Sequence, residues 1–190
     1  FGISASAGDD GDATSTSSVE TAYSVGASYV TTAGDSTVTI GGGFVNADDS
    51  AAKTINAASE SWAISATAAT GDLTVGAGLS GGSAVHNKTT ASQTEEVDGG
   101  EVLTAGVKYV SGDITFAIGH VSGSGADTAT FDGNPTADDS YTDTSASVSY
   151  VIASGVSGIL GYSDRERDQD GTTSTDHSGT SWYIGALVSF

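Results

Sequence analysis

The chain has no cysteine, no methionine and a single proline among its 190 residues. Without cysteine, neither a disulfide framework nor a thiolate metal site can form. Basic residues are almost as scarce: five Lys and Arg stand against 24 Asp and Glu, for a formal net charge of −19. That balance excludes nucleic acid as a partner, because neutralising its phosphates takes clustered cationic side chains. No apolar run approaches the roughly 18 residues that a membrane-spanning helix needs. The missing methionine and the opening Phe1-Gly2-Ile3 lead us to expect one domain over 1–190 that is incomplete at its N-terminus.

What the chain does contain is glycine, 27 residues of it, together with abundant Ser, Thr and Ala. The apolar residues alternate in blocks, and a period of two marks a strand with two unlike faces. Four short turns punctuate the blocks, at Thr32-Ala33-Gly34-Asp35, Ala69-Thr70-Gly71-Asp72, Val110-Ser111-Gly112-Asp113 and Ala153-Ser154-Gly155-Val156. Glycine supplies the positive φ of a tight hairpin, and Asp caps it with its side chain. The flanking arms read Val19, Thr21, Tyr23, Val25, Ala27, Tyr29, then Val38, Ile40, Gly42, Phe44, and so on through three further hairpins. The second arm of the fourth, around Val156–Tyr162, is ambiguous in parity. With Phe1–Ala7 and a last segment over Thr180–Phe190, about ten strands are expected.

The connections between hairpins are long and polar, roughly 8–17, 47–58, 81–101, 123–143 and 164–179. Short turns at one end and long loops at the other are the asymmetry of a transmembrane β-barrel. Nearly all acids, Asp139, Asp143, Asp164 and Glu166 among them, fall in the expected loops or short turns. Only Glu20 and Glu60 remain near strand starts, assigned to the polar parity. A charge at the bilayer midplane costs roughly 2–4 kcal/mol, so charge-free strand centres favour a lipid-facing surface. The alternate face carries residues such as Ser24, Gly26, Ser28, Thr74, Gly76, Gly78, Ser145, Ser147 and Ser149. These are too small and polar to fill a dry core and suit a water-filled lumen. Tyr29, Tyr109 and Tyr150 recur at one height as an interfacial girdle would, and a second belt takes Tyr23, Phe44, Trp62, Tyr162 and Trp182.

The last strand alternates Trp182, Ile184, Ala186, Val188 and Phe190 and stops on the terminal phenylalanine. This ending resembles the assembly signal of bacterial outer-membrane proteins, and the whole chain resembles the C-terminal part of a general porin of the Gly- and Asp-rich, alphaproteobacterial-looking type. The resemblance implies an all-β, antiparallel transmembrane barrel of sixteen strands in its full form. It also implies a homotrimer in the outer membrane, in contact with lipid and lipopolysaccharide and inserted by the barrel-assembly machinery.

Few residues nominate chemistry. Lys108, Arg165, Arg167, Glu20 and Glu60 are the pore-lining candidates, since wall charges set ion selectivity. Acidic clusters at Asp9, Asp10 and Asp12, and at Asp168 and Asp170, are weak candidates for Ca²⁺ or Mg²⁺, which prefer carboxylate oxygens. In the segment from Glu166 the twelfth position is His177, not the bidentate carboxylate of a calcium loop. His86, His120 and His177 have neither triad nor metal-ligand spacing, and no nucleophile or cofactor is indicated. The function expected is passive, cation-preferring diffusion of small hydrophilic solutes. The alternatives are an intact ten-stranded barrel acting as enzyme or adhesin, and a secreted, calcium-binding β surface protein.

Overall fold

A computed structural model describes residues 1–9, 19–49, 59–87, 94–126, 138–168 and 176–188. They form ten strands: β1 Gly2–Asp9, β2 Val19–Ala33, β3 Ser36–Asp49, β4 Ser59–Thr70, β5 Leu73–Asn87, β6 Thr94–Ser111, β7 Ile114–Ala126, β8 Asp138–Ala153, β9 Val156–Asp168 and β10 His177–Val188. Each pairs antiparallel with its sequence neighbours in one sheet ordered β1 to β10, with β1 and β10 as its edges. The meander follows from the turns. Gly34, Gly71, Gly112 and Gly155 all have positive φ, between 54° and 75°, which matches the turn to the right-handed twist of the strands it joins.

Cross-strand register carries the two-faced sequence pattern across the whole sheet. One row joins Ile3, Ala27, Gly42, Ile64, Leu79 and Leu103 from β1 to β6. The adjacent row joins Gly2, Ser28, Gly41, Ser65, Gly78 and Thr104. The apolar row, here called the outer face, leaves its large side chains uncovered: Ile64 is 58% exposed and Ile118 60%. No large side chain among the described residues is fully buried. Stability therefore cannot rest on a conventional core. It rests on the backbone ladder and on whatever apolar medium covers the outer face.

Both aromatic belts lie on that face. Tyr29, Tyr109 and Tyr150 stand exposed near the short turns. In the second belt Tyr23 packs against Phe44 with ring centroids 6.2 Å apart, and Tyr162 against Trp182 at 4.6 Å. Tilted aromatic pairs are worth about 0.5–1.5 kcal/mol beyond area burial. A double-mutant cycle on Tyr162→Ala and Trp182→Ala should return a coupling in that range, and additive losses would show the rings to be independent.

The structure differs from the sequence reading in three respects. The strands run further into the segments read as loops, so Asp139 and Asp143 belong to β8, and Asp164, Glu166 and Asp168 to β9. A ladder once started continues while backbone partners are available, whatever the side-chain polarity, and polar side chains end the apolar belt sooner than they end the strand. The ambiguous arm of the fourth hairpin resolves with Val156, Gly158, Leu160 and Tyr162 on the outer face, in register with Val188, Ala186, Ile184 and Trp182. Ile159, which takes the inner parity opposite Ser149 and Gly185 while Gly158 takes the outer one, is what blurs the alternation in the sequence. Finally, Glu60 lies on the outer face, opposite Asn46 and two residues from Trp62, and not on the inner face assigned to it. The period of two that places Trp62 outward places Glu60 there as well.

Candidate functional site

The candidate site is the inner face of the sheet. From β1 to β7 it is built mainly of Gly, Ser, Thr and Ala, with Val30, Val45, Val102, Val110, Val121 and Lys108 among them. Ser4, Ser24, Gly43, Ser61, Ser80 and Gly82 border an open concavity of about 630 Å³ together with larger residues such as Val45, Trp62 and Val102. Small side chains here spare the concavity. They also allow close strand approach: a Cβ on Gly82 would meet the Glu60 carbonyl oxygen at 2.2 Å. The hydroxyls bond along the wall, with Ser6 Oγ 2.8 Å from Ser24 Oγ and Thr104 Oγ1 donating to the Gly78 carbonyl at 3.3 Å.

On β8 to β10 the same face becomes charged. The polar row from Gly2 to Thr104 continues through Val121, Asp143, Arg165 and Gly179. Arg165 Nε donates to Asp143 Oδ2 at 2.6 Å. Tyr141 Oη donates to the same oxygen at 3.2 Å, and Ser163 Oγ, only 7% exposed, donates to Oδ1 at 3.3 Å. Two residues further along β9 and four back along β8, Arg167 Nη2 lies 3.4 Å from Asp139 Oδ2. His177 stands opposite Arg167 on β10. Tyr141, Arg165, Arg167, His177, Gly179 and Ser181 border a second concavity of about 390 Å³.

Lys108 is exposed on the inner face, in the row Thr74, Lys108, Ala117, Ser147, Gly161 and Tyr183. The Tyr183 ring lies over Gly161, where a Cβ would meet its Cζ at 2.0 Å. Lys108 sits three residues from the β6 end at Ser111, toward the short turns, whereas Arg165 sits toward the long connections. The structure therefore brings Arg165 and Arg167 together and leaves Lys108 apart from them. Their acidic partners, Asp139 and Asp143, were missed in the sequence because they were read as loop residues. The usable signal was parity, since Asp143 continues the series Ser149, Ser147, Ser145.

Of the remaining candidates, Asp10, Asp12 and Asp170, and the terminal Phe190, lie outside the described residues, as do the side chains of Asp9 and Glu20. Asp168 lies on β9 opposite Ser140, on the outer face. Among the described residues no group of three or more His, Asp or Glu is placed to hold a metal ion. The outer face is not wholly apolar: Asp164 and Glu166 share the parity of Tyr162 and Asp168, and two polar pairs lie nearer the strand interiors. Asn46, 6% exposed, donates through Nδ2 to Glu60 Oε1 at 3.0 Å, and His120 Nδ1 lies 2.9 Å from Thr144 Oγ1.

The sequence matches no family model and, at a significant level, no curated protein. Solved structures do share its architecture. OccK2 of Pseudomonas aeruginosa superimposes with a TM-score of 0.64 at 14% identity, over 88% of this chain and 50% of its own. The chain has the fold of the outer-membrane β-barrels. OprD of Pseudomonas aeruginosa gives a TM-score of 0.58 at 12% identity, covering 88% and 53%. OmpT, an outer membrane protein of Vibrio cholerae seen in a trimer form, gives 0.57 at 17% identity, covering 88% and 55%. The chain thus spans about half the length of these barrels. Against that architecture the two faces acquire sides: the apolar one is the surface such barrels turn to lipid, and the small polar one is their lumen wall.

Proposed function

We propose that the chain forms part of the wall of a porin, a water-filled outer-membrane channel through which small hydrophilic solutes and ions diffuse passively. One observation carries this reading: the inner face is dominated by Gly, Ser, Thr and Ala, too small and polar to pack a dry core, back to back with an outer face of exposed apolar side chains. Such a wall needs no catalytic group. Solutes are sorted by width and wall charge alone.

The net charge of −19 draws cations toward the channel mouths. The wall itself does not share that excess, for its described side chains include Lys108, Arg165 and Arg167 against Asp139 and Asp143. The cation preference proposed here is therefore a property of the rims. It should be evident in dilute salt and fade toward 1 M, where the Debye length falls to about 3 Å. Assembly as a homotrimer, insertion by the barrel-assembly machinery and contact with lipopolysaccharide belong to the same reading. The trimer form of OmpT supports the first of these. Divalent cations at the acidic connections are a further part of the proposal.

The test is reconstitution of the folded protein in planar bilayers. Discrete conductance steps with a salt-dependent cation preference are expected. Folded protein that inserts without conducting would remove the channel reading, and anion preference in dilute salt would remove the rim argument.

A further inference from the structure

We propose that a second copy of this chain docks on the outer face of β4 and β5, seating Ile118 of its β7 in an apolar notch and setting its His120 beside Glu60. The proposal rests on the channel and homotrimer readings above and names the surfaces through which the copies meet. Ile40, Ile64, Ala66, Ala77, Leu79 and Leu103 border a hollow of about 300 Å³ within the apolar belt. Its floor is low because Ala66 and Ala77 stand directly opposite one another. Small residues let two protein surfaces approach closely inside a bilayer, where close packing has to replace the hydrophobic drive. Further from the short turns, Asn46 donates through Nδ2 to Glu60 Oε1, while its own Oδ1 is buried without a hydrogen-bond partner among the described residues. Glu60 is exposed. Acceptors outnumber donors at this spot, and a further donor has to come from outside the sheet.

The complement stands on β7 of the same chain. Ile118 is 60% exposed on the outer face. His120, the next outward residue, is exposed and is the only basic side chain on this face among the described side chains. Its Nδ1 lies 2.9 Å from Thr144 Oγ1, and when that hydroxyl donates, Nε2 carries the proton and offers an N–H. Charge and hydrogen bonding therefore match Glu60 with His120. Heights match as well. The row of Tyr29 meets β6 at Ala105, four residues from Tyr109 in the same girdle, so a level line falls about one residue per strand. The rows of Ile64 and Ala66 meet β7 at Ser122 and His120. Three strands on from β4, those two levels fall at Gly119 and Ala117, with Ile118 between them. His120 comes close to the level of Trp62, the outward residue next to Glu60. Three strands of a barrel of about 16–18 subtend about 60–68°, and the two neighbours of a protomer in a closed ring of three lie about 60° apart. The notch of each copy can thus face β7 of the next around the ring. Lipid chains could fill the notch, but they bring no donor to Glu60 at a fixed spacing from the knob.

The chain has no cysteine, so an introduced pair reports its own contact. Folded protein in lipid vesicles carrying both Ala77→Cys and Ile118→Cys should cross-link under mild oxidation into covalent trimers. Either substitution alone should not, because the contact joins two different surfaces. Ala77→Cys combined with Leu160→Cys should also stay free. Ala77→Phe fills the notch and should lower the assembled fraction by roughly tenfold or more on native gels, while heat-modifiable migration shows that the barrel has folded. Glu60→His should weaken assembly, and adding His120→Glu should restore it. Assembled trimers in which the Ala77 and Ile118 pair does not cross-link would overturn this contact and leave the homotrimer standing, as would trimers cross-linked through Ala77→Cys alone. Unchanged assembly of the folded Ala77→Phe protein would assign the notch to lipid and overturn the docking. Folded protein that stays monomeric in the vesicles would remove the homotrimer reading and this contact together. Cross-linked trimers that do not conduct would uphold the contact while the channel reading fell.

Discussion

An arginine at Ile64 should destabilise the folded protein by about 2–4 kcal/mol, whereas the same residue one position later, at Ser65, should cost well under about 1 kcal/mol. Ile64 stands on the outer face between Gly42 and Leu79, 58% exposed and away from both strand ends. In an aqueous β-protein an exposed isoleucine is a permissive site, and a charge there would be neutral or favourable. In a bilayer the exposed position is the expensive one, because the guanidinium loses its water and its stem is too far from either interface to snorkel freely. Ser65 faces the wall lined by Gly41 and Gly78, where an arginine finds both space and water. Denaturant unfolding of the two variants from lipid vesicles measures the difference. Equal costs would mean that the outer face is not in lipid, and the membrane reading would have to be given up. The Ser65→Arg protein should also conduct with a shifted selectivity, since it adds a cation to a nearly uncharged part of the wall.

Gly100→Ala should be the most damaging single methyl in the sheet, at about 3–5 kcal/mol. Gly100 is buried, with φ of +81°, on β6 beside the irregularity that lets Gly81 pair with Glu101 while Ser83 pairs with Asp98. A Cβ there would meet the Ser124 carbonyl oxygen at 2.0 Å and the Gly125 Cα at 2.6 Å, both backbone atoms of the neighbouring strand. Left-handed strain contributes about 1–3 kcal/mol and the steric overlap about as much again. Gly34 separates the two causes. Its φ is +62°, but nothing lies within 4 Å of the added carbon, so Gly34→Ala should cost only the conformational term, about 1–2 kcal/mol. Folding yields and unfolding midpoints of the two variants decide it: equal losses would show that Gly100 matters for its backbone angle alone.

Much of this architecture was legible in one dimension. Each hairpin turn carries its own glycine, and each arm states its two faces through a period of two, so strand number, pairing order and the apolar belt follow from local sequence. Tyr29, Tyr109 and Tyr150, or Ser145, Ser147 and Ser149, needed no tertiary information to be assigned to a face. Glu60 was equally legible and was misassigned because its charge was allowed to outweigh its parity with Trp62. The limits of the strands were less legible, because a backbone ladder extends past the point where side chains turn polar. Asp143 and Arg165 look like loop residues by composition, yet they are directly opposed members of one register row.

The sequence by itself determined a two-faced antiparallel meander, since alternation and turn chemistry act over a few residues and need no distant partner. Only the tertiary structure decided which charged residues meet. The spacing of 22 positions between Asp143 and Arg165 says nothing about contact until the register of β8 against β9 sets it. That register in turn depends on a bulge at Val151 and Ala153, which nothing in the local pattern announced.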